Sequence, residues 1–300
     1  MNSKPISGVW TALATPFVES GSIDWQSFEV LIDHQIKGEV TGVVISGTTG
    51  ESPTLTVQEK ISLVRKARAL LPSSIRVMAG SGGNNTSQSV ELSKLCADAG
   101  ADSLLIVTPP YNKPSPAGLW SHYSLIAESV SLPLCLYHVP GRTGQLLSAN
   151  VISKLTEIPS VSSIKEASGD VALLSRIVNS TKASVLSGDD PIYLASLAVG
   201  SQGIISVISN IFPKAMVELT SAYHKRDPER ALKLHQTLLP MIDMLFCESN
   251  PGPLKAALHI LSLSKNILRA PMAPVTEESY QLIRSTLFAT KANLQALSAL

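Results

Sequence analysis

A short apolar run followed by a helix-patterned segment recurs eight times between Val9 and Tyr223. Few folds accommodate that rhythm. Residues 9–14, 42–46, 75–79, 103–107, 134–138, 161–164, 184–187 and 203–207 read as strands. The run 42–46 is Gly-Val-Val-Ile-Ser, apolar without alternation, as parallel strands covered on both faces are. Helix signals stand between the strands. Residues 24–36 carry one apolar stripe, and Thr56 with Glu59 forms a capping box opening a helix that stops at Pro72. Residues 87–99 end at Gly100, another helix passes through Trp120 and Tyr123, Gly188-Asp189-Asp190-Pro191 starts the next, and 213–223 closes the series. Eight such units predict an α/β fold, a (β/α)8 TIM barrel. A doubly wound open sheet is the alternative, but it rarely needs eight regular units. The rest reads as helical. Asp227-Pro228 pairs an N-cap with a first-turn proline and leads toward Cys247; a short helix covers 253–261, and Thr276-x-x-Ser279 opens the last. The expected division is a barrel over 1–224 carrying the active site and a C-terminal helical module over 225–300.

Composition narrows the function classes. The chain has 300 residues, enough for a barrel of about 250 plus an appendage. A net charge of +1 gives no electrostatic reason to expect nucleic acid or a membrane surface. No run of eighteen uncharged apolar residues predicts a transmembrane helix. Cys96, Cys135 and Cys247 are odd in number and form no C-x-x-C, which fits reduced thiols in the cytoplasm. Residues 1–5 have no long apolar run behind them, so no signal peptide is expected.

Barrel active sites lie at the C-terminal ends of the strands, which selects candidates. Thr48 and Thr49 follow strand two, and Tyr111 follows strand four. Tyr137 sits in strand five, with Arg142 in the loop after it. Lys165 ends strand six, Ser187-Gly188-Asp189 ends strand seven, and Ile205 lies in strand eight. A lysine at the end of an inward-facing strand loses hydration, which disfavours the ammonium. A neutral amine attacks a carbonyl to form a Schiff base. Phenol and hydroxyl groups can move protons, and a guanidinium can hold a carboxylate. Each residue also has an ordinary reading. Lys165 could be a surface lysine at a strand–loop junction and Arg142 a solvated loop charge. The two threonines could form a tight turn, Tyr111 an interface aromatic and Tyr137 a core residue. Their convergence on one barrel mouth favours carbonyl chemistry. Metal chemistry has little support, because the six histidines form no H-E-x-x-H and no Cys/His cluster. Gly80-Ser81-Gly82-Gly83 lacks the lysine of a P-loop and reads as a tight barrel turn. No G-x-S-x-G elbow occurs.

Three segments carry a resemblance: Gly47-Thr48-Thr49-Gly50-Glu51, the stretch from Tyr137 to Gly144, and Ile164-Lys165-Glu166-Ala167-Ser168-Gly169-Asp170. They resemble the signature segments of the pyruvate-dependent class I aldolases, the family of N-acetylneuraminate lyase. The likeness runs from about Gly8 onward and includes Ser187-Gly188-Asp189-Asp190 and Asn250-Pro251-x-Pro253-x-Lys255. It is strongest to the branch that joins pyruvate to L-aspartate 4-semialdehyde in lysine and diaminopimelate biosynthesis. The resemblance implies that Lys165 forms an imine with pyruvate. It makes Tyr137, Thr48 and Tyr111 a proton relay, with Tyr111 supplied by a neighbouring subunit. Thr49 then holds the pyruvate carboxylate, Ile205 positions pyruvate through its backbone, and Arg142 binds the carboxylate of aspartate semialdehyde. It further implies no cofactor, and a homotetramer built as a dimer of dimers or a homodimer.

Departures bear mostly on regulation. His138 replaces a common Asn, and Pro110 replaces a tyrosine found in many members. At the family's lysine feedback positions Glu51, Ser52 and Asn84 fit the pattern, whereas Val57, Lys60, Gln88 and Pro110 do not. Two other readings remain: a sister lyase acting on N-acetylneuraminate or a 2-keto-3-deoxy sugar acid, and a non-catalytic paralogue that senses a keto acid. Arg142 and the doubled Thr48-Thr49 favour the synthase, and no chemical residue is missing as a sensor would allow.

Overall fold

The computed structural model describes residues 6–298. The stretch 1–5, read above as carrying no signal peptide, lies outside the described residues. The strands are β1 Gly8–Ala12, β2 Gly42–Ile45, β3 Arg76–Gly80, β4 Ser103–Val107, β5 Leu134–His138, β6 Val161–Glu166, β7 Ser184–Ser187 and β8 Gly203–Ser206. They form one closed barrel in chain order, every neighbour parallel, with β8 returning to β1. Around it lie α1 Trp25–Lys37, α2 Val57–Leu70, α3 Thr86–Asp98, α4 Pro116–Ser129, α5 Pro140–Thr143, α6 Ala149–Leu155, α7 Val171–Ser180, α8 Tyr193–Ala198 and α9 Pro213–His224. Beyond them follow α10 Pro228–Met244, α11 Gly252–Ile260 and α12 Glu277–Ser298.

Local chemistry accounts for most boundaries. The Thr56–Glu59 capping box is present in both directions, and Asp227 accepts from the Arg230 amide to start α10. Three expectations need adjusting. β1 stops at Ala12, because the Asn210 side chain takes over there: it donates to the Ala12 carbonyl at 2.8 Å and accepts from the Ala14 amide at 3.1 Å. α10 ends at Met244, before Cys247. β6 runs on through Glu166, since pairing continues at His138–Glu166 and Glu166–Ser187. Lys165 therefore lies inside its strand, gripped from both sides, and does not follow it. Helices α5, α6 and α7 add to those expected from the sequence: α5 and α6 are too short to show a periodic stripe, whereas α7 carries one in Leu173, Leu174 and Ile177 and an Asp170 cap that signals its start.

Two apolar shells result from the strand period of two. Trp10, Ala12, Val44, Met78, Cys135, Tyr137, Leu186 and Ile205 fill the barrel interior. The alternating residues, such as Val43, Ile45, Leu104, Ile106, Leu136, Ile164 and Ile204, pack outward against the helices. Tyr137 and its register partner Lys165 share the inward face, leaving His138 and Glu166 on the outward one.

Candidate active site

Lys165 is 6% exposed, and its Nζ lies 4.2 Å from the centre of the Tyr137 ring. The electron-rich ring face suits a cation at this distance. Gly188 makes space for the lysine stem: a Cβ there would stand 3.0 Å from Lys165 Cε and closer still to Ala167. Cys135 shares the interior, but burial pushes its thiol up to about 11, so it does not compete as a nucleophile.

Thr48, Tyr137 and Arg142 line one cavity of about 590 Å³ at the barrel mouth. Thr49 is buried beside it, and its hydroxyl accepts from the Asn250 side-chain amide at 3.1 Å. The Asn250 carbonyl also accepts a long 3.5 Å bond from the Arg142 guanidinium. Asn250 thus links the threonine turn to the arginine loop from outside the barrel, a partner the sequence did not reveal. Ile205 is fully buried in the same inner cluster as Tyr137. Tyr111 stands apart: it is 90% exposed, has a left-handed φ of 71°, and does not line the cavity, whereas Pro110 does. Gly80, Gly82 and Gly83 line the cavity as well, so the tight turn before α3 forms part of its wall.

Glu51 lies elsewhere than its neighbours in sequence suggest. Its carboxylate forms a buried ion pair with Lys255 and accepts from the Arg269 amide at 3.0 Å. Lys255 also donates to the Ile267 carbonyl at 2.7 Å and sits over the Phe17 ring. The expectation that Glu51 serves the cavity is corrected. A left-handed φ of 54° turns its side chain into the protein, and the carboxylate is fully engaged there.

Two further acids crowd the lysine strand. Glu166 is fully buried against His138. Burial, with the Glu166 charge adding, pushes the Asp189 carboxyl up to about 6. That value lies above the ordinary 3.8, so the folded protein holds this proton more tightly than the unfolded chain does. Ionised Asp189 therefore costs stability above pH 6, and the cost disappears as pH falls through the unfolded value. Asp189→Asn keeps an acceptor for the Gly169 amide, which the carboxylate meets at 2.9 Å. It is expected to stabilise the fold by about 2 kcal/mol at pH 8 and by close to nothing at about pH 3. Urea unfolding at the two pH values measures this; an equal effect at both would show that the carboxyl titrates normally.

The dihydrodipicolinate synthetase family model matches residues 5–290. The chain is 42% identical over 283 residues to the 4-hydroxy-tetrahydrodipicolinate synthase of Methanococcoides burtonii, covering 93% of this chain and 97% of that one. Among solved structures, the 4-hydroxy-tetrahydrodipicolinate synthase of the methanotroph Methylacidiphilum fumariolicum SolV superposes with a TM-score of 0.95 at 40% identity, over 98% and 99% of the two chains. The DHDPS of Cyanidioschyzon merolae, solved with lysine bound, superposes with a TM-score of 0.92 at 34% identity, over 95% and 98%.

Proposed function

The chain belongs to the dihydrodipicolinate synthetase family, and on that premise we propose that it condenses pyruvate with L-aspartate 4-semialdehyde to 4-hydroxy-tetrahydrodipicolinate. The observation that carries this reading is a buried lysine amine against a tyrosine ring, with an arginine on the same cavity wall as that tyrosine. The Lys165 amine adds to the pyruvate ketone, and water leaves as the imine forms. The imine draws electrons, so the pyruvate methyl gives up a proton and becomes an enamine. Its carbon attacks the aldehyde of the second substrate. The substrate amine then displaces Lys165 and closes the ring. Tyr137 and Thr48 move the protons, with Tyr111 completing the relay. Thr49 holds the pyruvate carboxylate, and the Ile205 backbone positions its carbon. Asn250 brings the helical segment 225–300 onto this barrel site. The decisive assay follows condensation of the two substrates beside cleavage of N-acetylneuraminate. Cleavage without condensation would replace the synthase reading with the lyase one.

Tyr111 projects outward from its own subunit, which supports a relay completed across an interface and a dimer or tetramer in solution. The three cysteines are free thiols, in keeping with a cytoplasmic enzyme. Among the described residues no helix is long and apolar enough to cross a membrane.

Arg142 is assigned to the second carboxylate because its planar fork makes paired bonds that lysine cannot match. Arg142→Ala is expected to raise the KM for aspartate semialdehyde far more than that for pyruvate. The loss in kcat/KM should be on the order of 30- to 1,000-fold. Equal effects on both substrates would make Arg142 structural.

Weak or absent inhibition by L-lysine is also expected. Lys60, Gln88 and Pro110 line the cavity, while Val57 is 50% exposed and does not. Lys60 would repel a ligand ammonium, and Glu51 is withdrawn into its pair with Lys255. An unpaired ammonium in such a pocket is costly. Initial rates measured against L-lysine up to millimolar levels test this, and strong inhibition below that range would refute the charge argument.

A further inference from the structure

His138 and Glu166 each stand one residue beyond a proposed catalytic group, on the opposite face of the same two strands. Both are fully buried, on the outward face of the barrel wall. His138 Nδ1 lies 2.9 Å from Glu166 Oε1, and His138 Nε2 lies 3.1 Å from the Leu147 amide nitrogen. An amide N–H can only donate, so Nε2 carries the lone pair and Nδ1 carries the proton. Glu166 accepts that proton's hydrogen bond and thereby selects the tautomer that can receive Leu147. The same carboxylate oxygen accepts from the Ser168 amide at 3.1 Å, so Glu166 is itself held by the turn after Lys165.

The loop geometry gives this contact a second meaning. The chain leaves β5 at His138, and the amide nine residues on returns to that same side chain. The imidazole closes the loop into a ring, with Arg142 near its midpoint. Arg142 has little holding it otherwise: its guanidinium is exposed and makes one long bond, to Asn250. Its aim is therefore set by the backbone beneath it. Closing a loop in advance removes conformational freedom that binding would otherwise have to remove.

We infer that His138 is a positioning residue for the second substrate. Through Leu147 it closes the loop that presents Arg142, and through Glu166 it ties that loop to the strand presenting Lys165. The span between the imine nitrogen and the carboxylate anchor is thereby fixed before the aldehyde arrives. The inference rests on the proposed role of Arg142.

The test uses the full-length protein. His138→Phe alone would strand a buried carboxylate, so the informative variant is the apolar pair His138→Phe/Glu166→Met, which keeps the volume without the hooks. Its kcat/KM for aspartate semialdehyde is expected to fall about 10-fold, mainly through KM. Borohydride trapping of pyruvate should proceed at the wild-type rate, and the Leu147 amide should exchange with deuterium at least about 10-fold faster. His138→Asn, which keeps a donor and an acceptor on one planar group, should stay within about 3-fold of wild type. In an Arg142→Ala background the apolar pair should add no further loss. Additive losses, or equal losses on trapping and condensation, would reduce His138 to core packing. Unchanged Leu147 exchange in the apolar pair would overturn the inference by itself. Unchanged kinetics in Arg142→Ala would instead overturn the role of Arg142, which separates the two failures.

Discussion

Incubation with pyruvate and borohydride is expected to leave one reduced pyruvate unit on Lys165, and Lys165→Ala is expected to lower kcat/KM by at least about 10³-fold. Both follow from the placement of the amine. Lys165 is held within β6 between two strand partners, its stem passes a glycine, and its nitrogen meets the Tyr137 ring. A flexible surface lysine could form an imine with excess pyruvate, but nothing would hold its nitrogen against a tyrosine ring as Lys165 is held. Lys255 is an internal control. It is fully buried, and burial lowers its ammonium to about 8 despite Glu51 beside it. That lowered basicity alone would favour labelling at Lys255. Geometry forbids it, because the Lys255 nitrogen is occupied by Glu51, the Ile267 carbonyl and the Phe17 ring. Mass mapping of the adduct to Lys255, or equal labelling of the two lysines, would refute the assignment. Lys165→Arg should be as inactive as the alanine variant, since a guanidinium stays charged and forms no imine.

The barrel was legible because each strand is buried on both faces and so announces itself as an apolar run. Observed strands begin and end within about two residues of the runs that marked them. Lys165, Tyr137, Thr48 and Arg142 were legible for a related reason: strand ends in a barrel point to one mouth, so position along the chain translates into position in space. That translation fails for contacts that leave the barrel axis. Nothing near Glu51 in sequence signals Lys255 or Arg269, because those partners arrive from α11 and the segment after it. Its left-handed backbone also reverses the direction that its place in the turn suggested. The pairing of His138 with Glu166 was within reach. Each follows a proposed catalytic residue on adjacent parallel strands, and equal offsets on paired strands face one another.

Glu51 supplies the second large effect. Glu51→Leu is expected to destabilise the fold by about 3 to 5 kcal/mol, and Lys255→Met by a similar amount. The side chains are 1% and 0% exposed, so either substitution strands a charge away from water. The double variant Glu51→Leu/Lys255→Met should recover most of that loss, because removing both charges removes the desolvation problem. Urea unfolding of the four proteins measures the cycle. If the losses simply add, the two groups do not pair as described. The cycle also separates stability from function. Glu51 shares its turn with Thr48 and Thr49, and its carboxylate fastens that turn to α11 and to the Arg269 backbone. The double variant should therefore be stable yet slower, with the defect in pyruvate handling rather than in aldehyde binding. Its response to L-lysine should match that of the unaltered protein, since Glu51 does not face the cavity. A change in lysine response on removing this carboxylate would return Glu51 to the cavity wall and undo the charge argument built on its withdrawal.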